Sequence, residues 1–297
     1  MSSSFWADHI SVLACPDCKG CLDLAQANLT CARCGHLWPC GLGFPEFVRG
    51  RNERMQFYDT QYWPAYRPSD VSALDNYLVQ TADKWLAQLG VRSGSMYLDV
   101  SCGQGHALVA GHLRGATGFG VEFSRTALCG ARQKFGLDST VLADATKLPF
   151  HKEVFDTLSC FGALEHFLRL PEALSEFRRV TTPQAKFLFV VPNSRHILLP
   201  LLKLVDRQPV ETMFDLEGWR IFLAAHGFAV LDWSADNHTY GRPLFPFSLK
   251  SLARKCLVPV TNLAGSERAW QFSLLCAKQP LGVTCEGAHR QATATAC

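Results

Sequence analysis

The stretch MYLDVSCGQGHAL, residues 96–108, decides the fold class. Met96 to Val100 is an apolar run of strand length, a loop holding Gly103 and Gly105 follows, and an apolar run then resumes. Strand, glycine turn and helix in that order open an α/β sheet, and glycine supplies turn conformations that a side chain resists. Two familiar uses of the turn are disfavoured. A dinucleotide loop continues G-x-G-x-x-G/A so that the helix can pack closely, and here that third position is Leu108. A phosphate-cradling Walker loop ends in Gly-Lys-Ser/Thr, which this loop does not.

Working outward, further strand-like runs are GFGVE (118–122), TVLAD (140–144), FDTLSCF (155–161), AKFLFVV (185–191), AVLDWSA (229–235) and WQFSLLCAK (270–278). Helix-like stretches fill the gaps at Gln104–Leu113, Ser124–Phe135, Pro171–Val180 and Glu217–His226. Such alternation predicts a Rossmann-like, seven-stranded, mostly parallel sheet with helices on both faces. No clear crossover helix joins the last two strands, so an antiparallel last strand is expected. Acids recur where the first three strands end: Asp99, Glu122 and Asp144. Carboxyl ends of parallel strands meet at the ligand crevice. Three carboxylates there repel a polyphosphate and suit a ligand with an ammonium, a ribose diol and an aminopurine.

The pieces LDVSCGQG, VEFS, DATKLPF, FDTLSCFGALEHF and FRRVTTPQAKFLFVVPN follow one another within residues 96–193. In that order and spacing they resemble the class I S-adenosylmethionine-dependent methyltransferases, especially their broad small-molecule family. The resemblance implies that Asp99, Ser101, Gly103 and Gly105 shape a loop around the methionine portion of S-adenosyl-L-methionine. Glu122 would accept from the ribose hydroxyls with Phe123 beside the adenine, and Asp144 would take the adenine amino group with Ala145 adjacent. Phe161, at the fourth strand's end, would line the same site. Relatives usually carry Gly where this chain has Ser101.

Methyl transfer from a sulfonium needs alignment and exclusion of water more than acid–base help. A base matters only where the acceptor loses a proton, and His166 beside Glu165, just past the fourth strand, is the candidate pair. Tyr58, Tyr62 and Trp63 precede the first strand and are candidates either to cover the cofactor or to pack the N-terminal module. Residues 193–218 are expected to form a lid or substrate wall, with a core helix as the competing reading for Leu198–Leu204.

Upstream, Cys15-Pro-Asp-Cys18 and Cys31-Ala-Arg-Cys34 are two C-x2-C pairs twelve residues apart, a spacing that lets four thiolates enclose one ion. Four sulfur ligands favour Zn2+ and leave no open position for catalysis, so its role reads as structural. Gly35 stands where the turn calls for positive φ; Cys21 and Cys40 fall outside the spacing. LACPDCKGCLDL and LTCARCGHLWPCGLGFPEF, within residues 11–48, resemble a zinc-ribbon family that includes a methyltransferase activator subunit and ribbons fused to bacterial methyltransferases.

The domains expected are a zinc ribbon (1–50), a helical linker or cofactor lid (51–95), the methyltransferase domain (96–279) and a disordered tail (280–297). A net charge of +3 is too mild to argue for nucleic acid as partner, and an RNA methyltransferase is the runner-up to an enzyme acting on a small or medium-sized acceptor. A non-catalytic scaffold is a third reading, opposed by the intact glycine loop and three acids. No transmembrane segment or signal peptide is apparent. Thirteen cysteines without a disulfide framework suit a cytoplasmic location.

Overall fold

The computed structural model describes residues 4–25, 28–50, 52–65, 71–196, 212–236 and 266–280. Most of the apolar 193–218 segment, residues 197–211, and the tail 281–297 lie outside the described residues. A three-stranded antiparallel sheet, β1 (Leu22–Ala25), β2 (Asn28–Cys31) and β3 (Leu37–Pro39), builds the N-terminal ribbon. The larger sheet holds β4 (Met96–Val100), β5 (Thr117–Glu122), β6 (Thr140–Leu142), β7 (Phe155–Phe161), β8 (Thr181–Pro192), β9 (Phe228–Asp236) and β10 (Gln271–Lys278). Their order is β6-β5-β4-β7-β8-β10-β9. β4 runs parallel to β5 and β7, and β5 to β6. β10 is antiparallel to both β8 and β9, so the expected Rossmann-like sheet with an antiparallel last strand is present.

The chain divides into two compact units. The first comprises residues 1–160 and 172–183; the second comprises 161–171 and 184–297. In the first, β4 to β6 are buried almost throughout, as strands covered on both faces must be. The helix His106–Leu113 lies on Tyr97: a Cβ on Gly111 would stand 3.0 Å from that ring. Leu108 on that helix fills the space left over Gly120 of β5, where a Cβ would meet Leu108 Cδ1 at 2.6 Å. The small residue that a dinucleotide loop keeps on its helix is thus moved to the neighbouring strand. Phe119, Phe150 and Phe155 form an edge-to-face cluster, and Phe5, Trp6 and His9 pack onto Phe119 from the N-terminal helix side.

In the second unit Phe187, Phe189 and Phe228 make a similar cluster. The helix Leu216–Ala225 is capped by Asp215, which accepts from Gly218 N–H. Buried Trp219 on that helix donates Nε1–H to Pro192 O at 3.0 Å.

Two expected boundaries move for local reasons. The first helix begins at His106 because Gly105 sits at φ +84, outside helical space. β6 ends at Leu142 because Asp144 turns to cap the short 3-10 helix Ala145–Lys147, accepting from Thr146 N–H.

Candidate cofactor site and cysteine cluster

All but three of the expected cofactor and catalytic residues lie in the first unit, where Asp99 lies near the end of β4, Glu122 ends β5 and Asp144 stands two residues past β6. Asp99 is not presented to solvent; it is 3% exposed. Its Oδ1 accepts from Ser159 Oγ at 2.5 Å, and Ser159 is bonded to Tyr97 Oη at 2.6 Å. Burial pushes the Asp99 carboxyl up to about 7, against the hydrogen bond from Ser159.

Glu122 reaches across to the glycine loop. Its Oε2 accepts from Gly103 N–H at 2.8 Å, while Oε1 accepts from Phe123 N–H and Ser124 N–H, both at 2.8 Å. Three of roughly four acceptor positions are used, leaving capacity on Oε2 for a hydroxyl. Burial raises its proton affinity, opposed by those backbone bonds. Ser101 holds φ +62, so the residue standing in for the usual glycine keeps the glycine conformation and stores strain. Gly103 and Gly105 are at φ +54 and +84. A Cβ on Gly103 would lie 2.8 Å from Trp63 Cη2, and one on Gly105 would run into Leu137 Cδ1. The protein's own packing against Trp63 and Leu137 thus requires both glycines, and what fits a ligand offering hydroxyl donors is the spare acceptor capacity of Glu122 beside Gly103. Asp144 Oδ1 accepts from both Thr146 N–H and Thr146 Oγ, with Ala145 opening the turn beside it.

Tyr58 and Tyr62 bound a five-residue π-helical turn between the helix Glu53–Phe57 and Trp63, with ring centroids 5.4 Å apart. Asp59 in that turn was missed by sequence reasoning. It accepts from Ser124 Oγ at 2.6 Å and Thr126 N–H at 3.0 Å, tying the turn to the start of the helix Arg125–Phe135. No sequence signal marked a partner 65 residues away. His106, likewise unmarked, bonds Asp75 Oδ1 at 2.7 Å.

The remaining three, Phe161, Glu165 and His166, lie in the second unit. Glu165 and His166 share a short 3-10 turn, Leu164–His166, with Oε1 and Nε2 3.7 Å apart.

The four ribbon cysteines converge, their sulfurs all within 4.8 Å of one another. Cys15 and Cys34 sulfurs are 3.8 Å apart, and Cys18 and Cys31 sulfurs 3.4 Å. A tetrahedral zinc with bonds of about 2.3 Å sets its sulfurs about 3.8 Å apart, so the cluster fits such an ion. Gly35 takes φ +70, as the spacing required. Gly20, unmarked in the sequence, is needed too: its Cβ would stand 2.6 Å from Arg33 Cβ and 3.1 Å from Cys31 Sγ.

The ribbon is joined to the larger sheet in the first unit. Glu46 bridges Leu142 in parallel, with Phe47 N–H to Leu142 O at 2.7 Å and Leu142 N–H to Pro45 O at 2.9 Å. Leu13 bridges Phe150 in antiparallel fashion. Glu46 pairs with Arg125, and Lys19 with Glu176.

The strand order, with a glycine loop after β4 and acids near the end of β4 and at the end of β5, defines a Rossmann-like methyltransferase fold. Residues 98–189 match the family described as Methyltransferase domain. The chain is similar to the 2-phytyl-1,4-naphtoquinone methyltransferase of Trichormus variabilis, 34% identical over 116 residues, which are 36% of this chain and 49% of that protein. Among solved structures, a chain of the Haloferax volcanii complex of a methyltransferase activator with a methyltransferase aligns at TM-score 0.56 and 18% identity, over 70% of this chain and 94% of that one. Haemonchus contortus phosphoethanolamine N-methyltransferase 2, in complex with S-adenosyl-L-methionine, aligns at TM-score 0.54 and 18% identity, over 80% of this chain and 62% of that one. These two likenesses concern the fold. The chain spans about half the length of the curated relatives it matches. Among the described residues no helix is long and apolar enough to cross a membrane.

Proposed function

We propose that this chain transfers a methyl group from S-adenosyl-L-methionine to a small or medium-sized acceptor, such as a natural product, glycan precursor or lipid intermediate. The observation that carries the reading is the Glu122 carboxylate bonded to Gly103 N–H, joining a diol-binding acid to a bare glycine loop on adjacent parallel strands. The likeness to a naphthoquinone methyltransferase supports a small acceptor.

The cofactor supplies an electrophilic methyl group on a sulfonium. Asp99 and Ser101 hold the loop's shape, and Gly103 and Gly105 let its backbone approach the methionine end. Glu122 receives the ribose hydroxyls with Phe123 beside the adenine. Asp144 and Ala145 bound the adenine edge, and Phe161, Tyr58 and Tyr62 exclude water. For an acceptor that must lose a proton, His166 accepts it and Glu165 orients the ring. The four cysteines hold a structural Zn2+, which replaces part of a core the ribbon is too small to build. The reading includes a cytoplasmic location, on the sequence's thirteen cysteines without the regular spacing of a disulfide framework.

Calorimetry with S-adenosylhomocysteine tests the reading, with a Gly105→Ala and Gly136→Ala pair as its control. Both positions have positive φ, +84 and +64, but nothing stands near a Cβ on Gly136, whereas Leu137 blocks one on Gly105. Each substitution costs about 1–2 kcal/mol of backbone strain. Gly105→Ala alone is expected to lower affinity at least tenfold. Equal affinity in all three proteins, or no binding by the folded parent, overturns the assignment. His166→Ala is expected to lower kcat while leaving that affinity intact; an unchanged kcat removes His166 as base.

A further inference from the structure

The loop after β6, residues 142–151, carries Asp144 and Ala145 and lies against the ribbon at one point after another. Ala14 N–H donates to Pro149 O at 3.0 Å, and His151 N–H to Val12 O at 3.1 Å. Lys19 Nζ reaches Leu148 O at 3.2 Å, and Asp17 pairs with Lys147 at 3.8 Å. The Glu46–Leu142 bridge closes the near end.

Most of these contacts come from one short piece of chain. Ala14, Asp17 and Lys19 directly flank or separate Cys15 and Cys18, the first pair of thiolates around the ion site. Lys19 holds φ +58, a strained conformation that aims its side chain inward, and Lys19 N–H closes the turn onto Cys15 O at 2.8 Å. A turn of this kind keeps its shape while both of its thiolates share one ion with the second pair, all four sulfurs lying within 4.8 Å of one another. The loop is also anchored from the sheet side, where Ala143 N–H donates to Glu122 O at 3.0 Å and Leu148 and Phe150 are fully buried. Arg179 donates to Leu148 O at 3.0 Å and to Phe150 O at 2.7 Å, so the ribbon turn and this arginine hold the loop together, with Asp17 and Lys19 meeting it at Lys147 and Leu148.

We infer that the Cys15–Cys18 turn is a positioning element for the cofactor loop, coupling metal occupancy of the ribbon to affinity for the adenosine end of the cofactor. This rests on the cofactor reading proposed above. Lys19 and Asp17 act through the loop backbone; neither touches substrate or cofactor. The ribbon accordingly serves the cofactor side of the reaction, and acceptor recognition does not pass through this turn.

The test uses the full chain, zinc-loaded, chelator-stripped, and as Lys19→Met and Asp17→Asn, which keep all four ligands. S-adenosylhomocysteine affinity is read by calorimetry and loop protection by hydrogen exchange. Stripping and Lys19→Met are expected to weaken affinity about tenfold and to raise exchange across 142–151, with residues 96–105 unchanged. Asp17→Asn, losing a longer pair, should shift both less. In turnover the Lys19→Met loss should fall on the KM for the methyl donor, with kcat and the acceptor KM unmoved. Unchanged affinity in a variant whose loop exchange has risen overturns the inference, as does unchanged exchange after zinc removal. If stripping unfolds the chain, Lys19→Met decides alone. Absence of cofactor binding by the zinc-loaded parent instead fails the functional reading, and exchange then still judges the clamp.

Discussion

Asp99 shows how a residue at a ligand crevice can serve from behind it. Its carboxyl, 3% exposed, is pushed up to about 7 by burial, whereas in the unfolded chain it titrates near the ordinary value of about 3.9. Between those two values the folded chain binds the proton more tightly. Stability from this group is therefore greatest at the acid end, falls as pH rises through the window, and above about pH 7 the fold holds a buried carboxylate. Asp99→Asn keeps an acceptor for Ser159 Oγ and removes the charge. It is expected to be more stable than the parent at pH 8, by on the order of a few kcal/mol, with the two converging toward pH 4.5. Urea unfolding at several pH values measures this. A constant difference across the range would show that Asp99 does not titrate in the window. Glu122 shifts in the same direction through burial, so some pH dependence survives in the variant.

At the scale of elements, strands and helices were legible because burial on both faces writes itself as continuous apolar runs, and MYLDV and FDTLSCF needed nothing else. Antiparallel β10 was legible only as a missing crossover. The four cysteines were legible because ligand spacing is local. What escaped is long-range: Asp59 in its π-helical turn, Gly20 under the sulfurs, Gly120 beneath Leu108, and the pairing of Glu46 with Leu142. Asp59 and Glu46 are set by residues far along the chain, and Gly20 and Gly120 by side chains that no periodicity or ligand spacing ties to them. Asp59 lends itself to measurement, because its Oδ1 takes two bonds from the turn at Ser124 and Thr126. Asp59→Asn preserves that acceptor and is expected to stay close to the parent. Asp59→Leu leaves a buried hydroxyl and N–H unmet, at about 1–3 kcal/mol. Thermal unfolding should separate the two, and hydrogen exchange should place the loosening in residues 53–65. Equal stabilities would mean that the turn is held by its aromatic side chains alone.

For the first unit as a whole, the ribbon does what any sheet must arrange at its edge. β6 is the last strand on its side of the larger sheet, and an uncovered edge offers unpaired N–H and C=O groups to other chains. Pro45 to Phe47 pair with that edge at Leu142, and Trp6, 6% exposed, helps to cover Phe119, which is fully buried. Removing residues 1–50 therefore exposes an edge strand and an aromatic cluster in one step, a combination that favours association over solubility. The fragment 51–297 is expected to aggregate at concentrations where the full chain does not, as read by light scattering after size exclusion. Full chain stripped of metal should fall between them, since Pro45–Phe47 and the N-terminal helix lie outside the two cysteine turns. A fragment that stays dispersed and keeps the parent's affinity for S-adenosylhomocysteine would show that the sheet closes its own edge, leaving the ribbon no part in the fold or in the cofactor loop.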